Sequence, residues 1–171
     1  MRDAEGFTLI ELLVVITISA MLVALSASAL RHYWFTQALE GSADSLVSQL
    51  RQVQQRTDSE SAPLVYGVRL EVGTSNWAVV RYDPKSATTI DDDVCTQLTT
   101  YQFNNGVVIS SSSFEAHSEV VLSKCPASEQ EFAMFFARGT ATEGSVTLTH
   151  PITNRTRTVS VLPLTGRVRV S

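Results

Sequence analysis

The sequence predicts an α+β fold in which one long N-terminal helix is laid against a mostly antiparallel β-sheet domain. Three observations carry that prediction. An apolar run beginning at Phe7 is broken only by Glu11 as far as Leu30, an amphipathic pattern continues from there to about Thr57, and everything beyond reads with strand periodicity. A chain of 171 residues suits one domain with a sizeable core plus an appendage. A net charge of -4, 44% hydrophobic residues and a mean hydropathy of +0.08 exclude a disordered or strongly basic chain and name no partner by themselves.

The first element is justified by length. From Leu12 to Leu30 no residue is charged. As a helix, Phe7 to Leu30 would span about 36 Å, enough for a hydrocarbon layer of about 30 Å. Residues 7–30 are therefore a transmembrane candidate. Tyr33, Trp34 and Phe35 follow at its far end, where either an interfacial aromatic belt or packing in the globular core would place them. Ala27-Ser28-Ala29 imitates the cleavage site of a secretory leader. Against that reading stand the length of the apolar run, the intrusion of Glu11, and a helical pattern that continues past the cut. Leu39, Ala43, Leu46, Val47, Leu50 and Val53 recur at helical spacing and extend the rod over residues 31–57, with Gly41 as its expected weak point.

A carboxylate at the edge of such a run costs roughly 2.5 to 3.5 kcal/mol if carried to mid-bilayer, so Glu11 calls for compensation. Gly6 followed by Phe7-Thr8-Leu9-Ile10-Glu11-Leu12-Leu13 resembles the N-terminal signal of type IV prepilins and of the pseudopilins of type II secretion. The resemblance implies that a prepilin peptidase cuts between Gly6 and Phe7, that the new amino terminus on Phe7 is N-methylated by the same peptidase/N-methyltransferase, and that residues 1–6 are a leader. It also makes Glu11 the fifth residue of the mature chain, whose carboxylate pairs with the amine of a neighbouring subunit. An unpaired charge in low dielectric is strongly penalised, so Glu11 would act as a register sensor during assembly. The leader departs from the usual pattern in carrying only Arg2 as a basic side chain, against Asp3 and Glu5.

Past residue 57 the period changes. Residues 64–72 and 77–82, rich in Val, Tyr and Trp and separated by Gly73-Thr74-Ser75-Asn76, read as a β-hairpin. Further strands are expected at 98–103, 107–111, 119–123, 132–137, 145–149, 157–162 and 167–170, with breaks at Asn104-Asn105-Gly106, Cys125-Pro126, His150-Pro151 and 163–166. Residues 58–171 thus form a β-rich domain, expected in the periplasm with the helix anchored in the inner membrane.

Cys95 and Cys125 both lie in this domain. An oxidising compartment allows a disulfide between them, and two buried free thiols are the alternative. No paired ligand spacing accompanies them or His32, His117 and His150, so neither a metal nor another cofactor is expected. Asp91-Asp92-Asp93 lacks the spaced oxygens and turn glycine of a calcium loop and reads as a solvated run. No phosphate-binding glycine loop occurs, and no catalytic activity is expected.

Charge is uneven along the chain. Beyond Ala137 there are five arginines, Arg138, Arg155, Arg157, Arg167 and Arg169, against one acid, Glu143. Strand alternation puts Arg167 and Arg169 on one face and Val168 and Val170 on the other. The plain reading is an edge strand protected by charge. Phe136-Ala137-Arg138-Gly139 and the closing Gly166-Arg167-Val168-Arg169-Val170 also resemble the GspH/FimT group. In its FimT-type minor pilins a GRxR tail is associated with binding of incoming DNA, which maps onto Gly166, Arg167 and Arg169, with Arg155 and Arg157 as lesser contributors. The resemblance implies a minor pilin or pseudopilin whose partners are other pilins, the peptidase and the membrane, or alternatively a receptor for double-stranded DNA.

Overall fold

In a computed structural model the described residues are 8–60, 64–83, 95–115 and 131–171, with the side chains of 27–29 left out. One helix, α1 (Leu9–Ser59), precedes eight strands: β1 (Val65–Leu70), β2 (Asn76–Tyr82), β3 (Cys95–Gln102), β4 (Val108–Ser112), β5 (Phe132–Phe135), β6 (Gly144–His150), β7 (Arg155–Val161) and β8 (Val168–Val170). Thr8 caps α1, its side chain accepting from the Glu11 N–H, and Glu11 supplies negative charge to the first turn. The helix passes Gly41 without interruption.

The strands form two antiparallel four-stranded sheets, ordered β3-β2-β1-β5 and β4-β6-β7-β8. Sequence periodicity does not reveal this division. Hydrogen bonds between Gly73 or Thr74 and Ile109, and a bridge between Phe135 and Ala141, stitch the sheets together. Strand bounds shift slightly from expectation: β5 stops at Phe135, where a turn through Arg138 and Gly139 begins, β7 starts at Arg155 and β8 at Val168. The expected strand at 119–123 lies outside the described residues.

Both sheets direct one face at α1. Leu39, Ala43, Leu46, Val47, Leu50 and Val53 form the buried stripe of the helix, against Tyr66, Val68 and Leu70 of β1 and Val146, Leu148, Val159, Val161 and Val168 of the second sheet. Each fully buried Leu or Val contributes about 1.5 to 3 kcal/mol. The first sheet is buried on its other face as well, where Val65, Val80, Tyr82, Phe132, Met134 and Phe136 cluster. Coverage on both sides explains the unbroken apolar run of β5. Gly67 fits that double packing because a Cβ there would lie 2.3 Å from the Met134 sulfur and 2.6 Å from the Ala133 carbonyl oxygen.

Candidate assembly site

The same helix has two halves with opposite surroundings. From Leu9 to Leu25 every residue is exposed, whereas from Leu39 onward one stripe is buried in the domain. The protruding half is long and apolar enough to cross a membrane, with a mean hydropathy of 2.5 over its most apolar window. Two of its hydroxyls are satisfied internally: Thr17 and Ser26 each donate to the carbonyl four residues earlier, at 2.8 Å. That arrangement suits a helix in lipid, where no water would take their place. Glu11 is exposed on this half, and its carboxylate has no ion-pair partner among the described residues. Gly6 and Phe7 lie outside the described residues.

The aromatic triplet divides between the two fates open to it. Tyr33 and Trp34 remain 61% exposed, while Phe35 packs on the ring of buried His150 with centroids 4.5 Å apart. His150 is held from both ring nitrogens. The Ile152 N–H donates to Nδ1 at 3.3 Å, which leaves Nε2 to donate to the Asn105 carbonyl at 2.9 Å. This histidine is thus a structural clasp between the β6–β7 turn, the β3–β4 loop and α1. Among the described residues no group of His, Cys, Asp and Glu side chains is placed to hold a metal ion. Asp91, Asp92, Asp93, His117 and Cys125 lie outside the described residues, and Cys95, half-buried, opens β3 opposite Tyr82.

The arginines do not form one patch. Arg155 and Arg157 alternate with Val159 on the side of β7 that faces α1. Arg157 bonds Glu40 at 2.8 Å and Arg155 donates to the Thr36 hydroxyl at 3.2 Å, so both tie the sheet to the helix. Their expected lesser contribution to binding a ligand would therefore come from guanidinium groups already bonded to the helix. Arg169 stands opposite Ser160, on the other face from buried Val168. Arg167, exposed, shares a shallow depression with Arg51 and Gln54 of α1. Neither tail arginine has an ion pair among the described residues.

The two stretches that the sequence singled out meet in space. Ala141 donates to the Pro163 carbonyl at 2.9 Å, and a Cβ at Gly166 would come within 3.4 Å of the Gly139 carbonyl oxygen. The turn carrying Arg138 therefore sits beside the one preceding Arg167. Gly166 is required twice over: its φ is +58°, and a Cβ would sit 2.6 Å from Gln54 Nε2, which donates to the Thr165 carbonyl at 3.1 Å. Sequence reasoning missed Arg51, a cation beside Arg167. Its only signal was a position flanking the buried helical stripe.

A family model of the prokaryotic N-terminal methylation motif matches residues 1–27. No curated protein matches the chain by sequence. Among solved structures, the minor pseudopilin EpsH of the type II secretion system of Vibrio cholerae superposes with a TM-score of 0.54 at 14% identity, covering 78% of this chain and 95% of that one. The fold is that of a type IV pilin-like minor pseudopilin. A second EpsH structure from Vibrio cholerae gives a TM-score of 0.55 at 13% identity over 78% of this chain and 93% of that one. Escherichia coli GspH gives 0.51 at 12% identity over 79% and 88%. The pilin-like fold accounts for the bipartite helix: the domain grips only its second half and leaves the first to other surroundings.

Proposed function

We propose that this pilin-like chain is a minor pilin or pseudopilin, a structural or priming subunit of a type IV pilus or type II secretion pseudopilus, with no catalysis of its own. The observation that carries the reading is the continuity of a methylation motif with a helix whose first half is apolar and exposed. Residues 1–6 are the leader, 7–30 the membrane-spanning half, 31–57 the amphipathic half and 58–171 the periplasmic domain. Cleavage after Gly6 leaves a cationic amine on Phe7, and Glu11 pairs with that amine of the next subunit when helices bundle. Mass analysis of the exported protein tests this: the chain should begin at N-methylated Phe7. A start near Leu30 would mean that an ordinary signal peptidase had acted. Glu11→Ala should leave cleavage and insertion intact and reduce incorporation into filaments, since it removes the intersubunit partner while easing burial in lipid; normal incorporation would overturn the register role.

A second reading rests on the exposed Arg167 and Arg169 at the sheet edge. With Arg51 and Arg138 nearby, they offer phosphate-binding cations without base-reading geometry, which suits weak capture of double-stranded DNA during uptake.

A further inference from the structure

The contacts between α1 and β7 form a ruler for depth along the helix. Arg157 meets Glu40, Arg155 meets Thr36, and His150 packs on Phe35. Two strand residues advance about 6.7 Å and four helix residues about 6 Å, so β7 runs alongside α1 and descends toward its apolar half. At the other end of β7, Gln54 meets Thr165. The β6–β7 turn, Pro151 to Asn154, therefore continues past the level of Thr36 to roughly that of His32 to Trp34, within about 6 Å of Leu30 along the axis.

A bilayer whose hydrocarbon layer takes up the helix to about Leu30 carries a further layer of headgroups about 5 to 7 Å deep on each side. The turn falls inside that layer. Its tip residue is apolar, Ile152, at 69% exposure, and on the other side of the helix Tyr33 and Trp34 are exposed at the same depth. Exposed Arg31 and Arg155 stand there too, and the next carboxylate along the helix, Glu40, is bonded to Arg157. An apolar tip with cations beside it matches the boundary between acyl chains and anionic headgroups.

We propose that the β6–β7 turn is a second membrane contact, with Ile152 inserted at the headgroup boundary of an anionic phospholipid bilayer, so that the domain stands on the membrane at two points, this turn and the helix. The inference rests on the reading of α1 as a membrane anchor. Two contacts fix the domain's tilt and rotation before assembly, which a single helix cannot do. Extraction into a filament then has to release the turn as well as the helix.

The chain's two tryptophans make the test direct, because Trp34 is exposed and Trp77 is buried. The full-length protein would be reconstituted in vesicles of phosphatidylethanolamine and phosphatidylglycerol whose chains are brominated either near the headgroup or near the methyl end. Wild type reports on Trp34, and Ile152→Trp combined with Trp34→Phe reports on the turn. The expected result is that this double variant loses several times more fluorescence with shallow than with deep bromines, with Trp77 contributing an unquenched background. Quenching of Trp34 in wild type without quenching in the double variant would overturn the turn contact and leave the anchor standing. Quenching of neither would overturn both. Replacing Ile152 is safe for folding because its side chain is largely exposed, and circular dichroism identical to wild type would verify it.

Discussion

Arg157 Nη2 lies 2.8 Å from Glu40 Oε1, joining the middle of β7 to the amphipathic half of α1 one helical turn from the Arg155–Thr36 contact. Both side chains are about 40% exposed, so solvent screens the pair and its contribution is below about 1 kcal/mol. Glu40→Gln, Arg157→Gln and the double variant, compared by urea unfolding, should give a coupling of roughly 0.3 to 1 kcal/mol. A coupling of zero would mean that the pair only decorates the packing.

At the other end of α1 a polar clasp should make stability depend on alkaline pH. The Tyr66 hydroxyl donates to Glu60, the residue that caps the helix, and Arg56 stands 3.3 Å from Glu60 with its guanidinium over the Tyr66 ring. Burial, followed by the hydrogen bond and charge of Glu60, pushes the Tyr66 pKa above its ordinary value of 10.0. A raised folded-state pKa contributes stability that is present below pH 10 and lost as pH rises through the folded value. Tyr66→Phe should cost about 1 to 2 kcal/mol at neutral pH and reduce the alkaline loss. An unchanged slope above pH 10 would assign that loss to other groups.

Cys95 and Cys125 are expected to be joined in the exported protein. Closing a loop of about thirty residues should stabilise by roughly 3 to 4 kcal/mol in the chain-entropy model, so reduction should lower the unfolding midpoint by a corresponding amount. Thiol labelling of both cysteines under denaturing, non-reducing conditions would exclude the bond.

The tail arginines separate the two functional readings. If they hold DNA, Arg167→Gln with Arg169→Gln should flatten the dependence of log affinity on log salt by nearly 2, since each phosphate contact accounts for about 0.9. Folding should be unaffected because both side chains are exposed. Arg157→Gln should alter stability and leave the salt slope alone, because its guanidinium is bonded to Glu40. Binding that is undetectable at low salt would leave the structural subunit as the sole reading.

Periodicity and charge were sufficient for the helix and for most of the strands. The apolar run with its lone Glu11 and the stripe from Leu39 to Val53 are local patterns, and each maps directly onto what surrounds a helical face. The hairpin at Gly73-Thr74-Ser75-Asn76 and the turn at Asn104-Asn105-Gly106 were legible because Asn and Gly adopt the positive φ found at Asn105, +58°, and at Gly106, +78°. Strand order was not legible, since β5 joins β1 across a long stretch of intervening chain and no local signal encodes that pairing. For the same reason the sequence could not separate its arginines. Arg155, Arg157, Arg167 and Arg169 look alike along the chain, and only packing of β7 on α1 turns the first two toward Thr36 and Glu40 while the last two stay in solvent. Likewise Tyr33, Trp34 and Phe35 are equivalent in sequence, but a helix presents neighbours about 100° apart, so only Phe35 can reach His150.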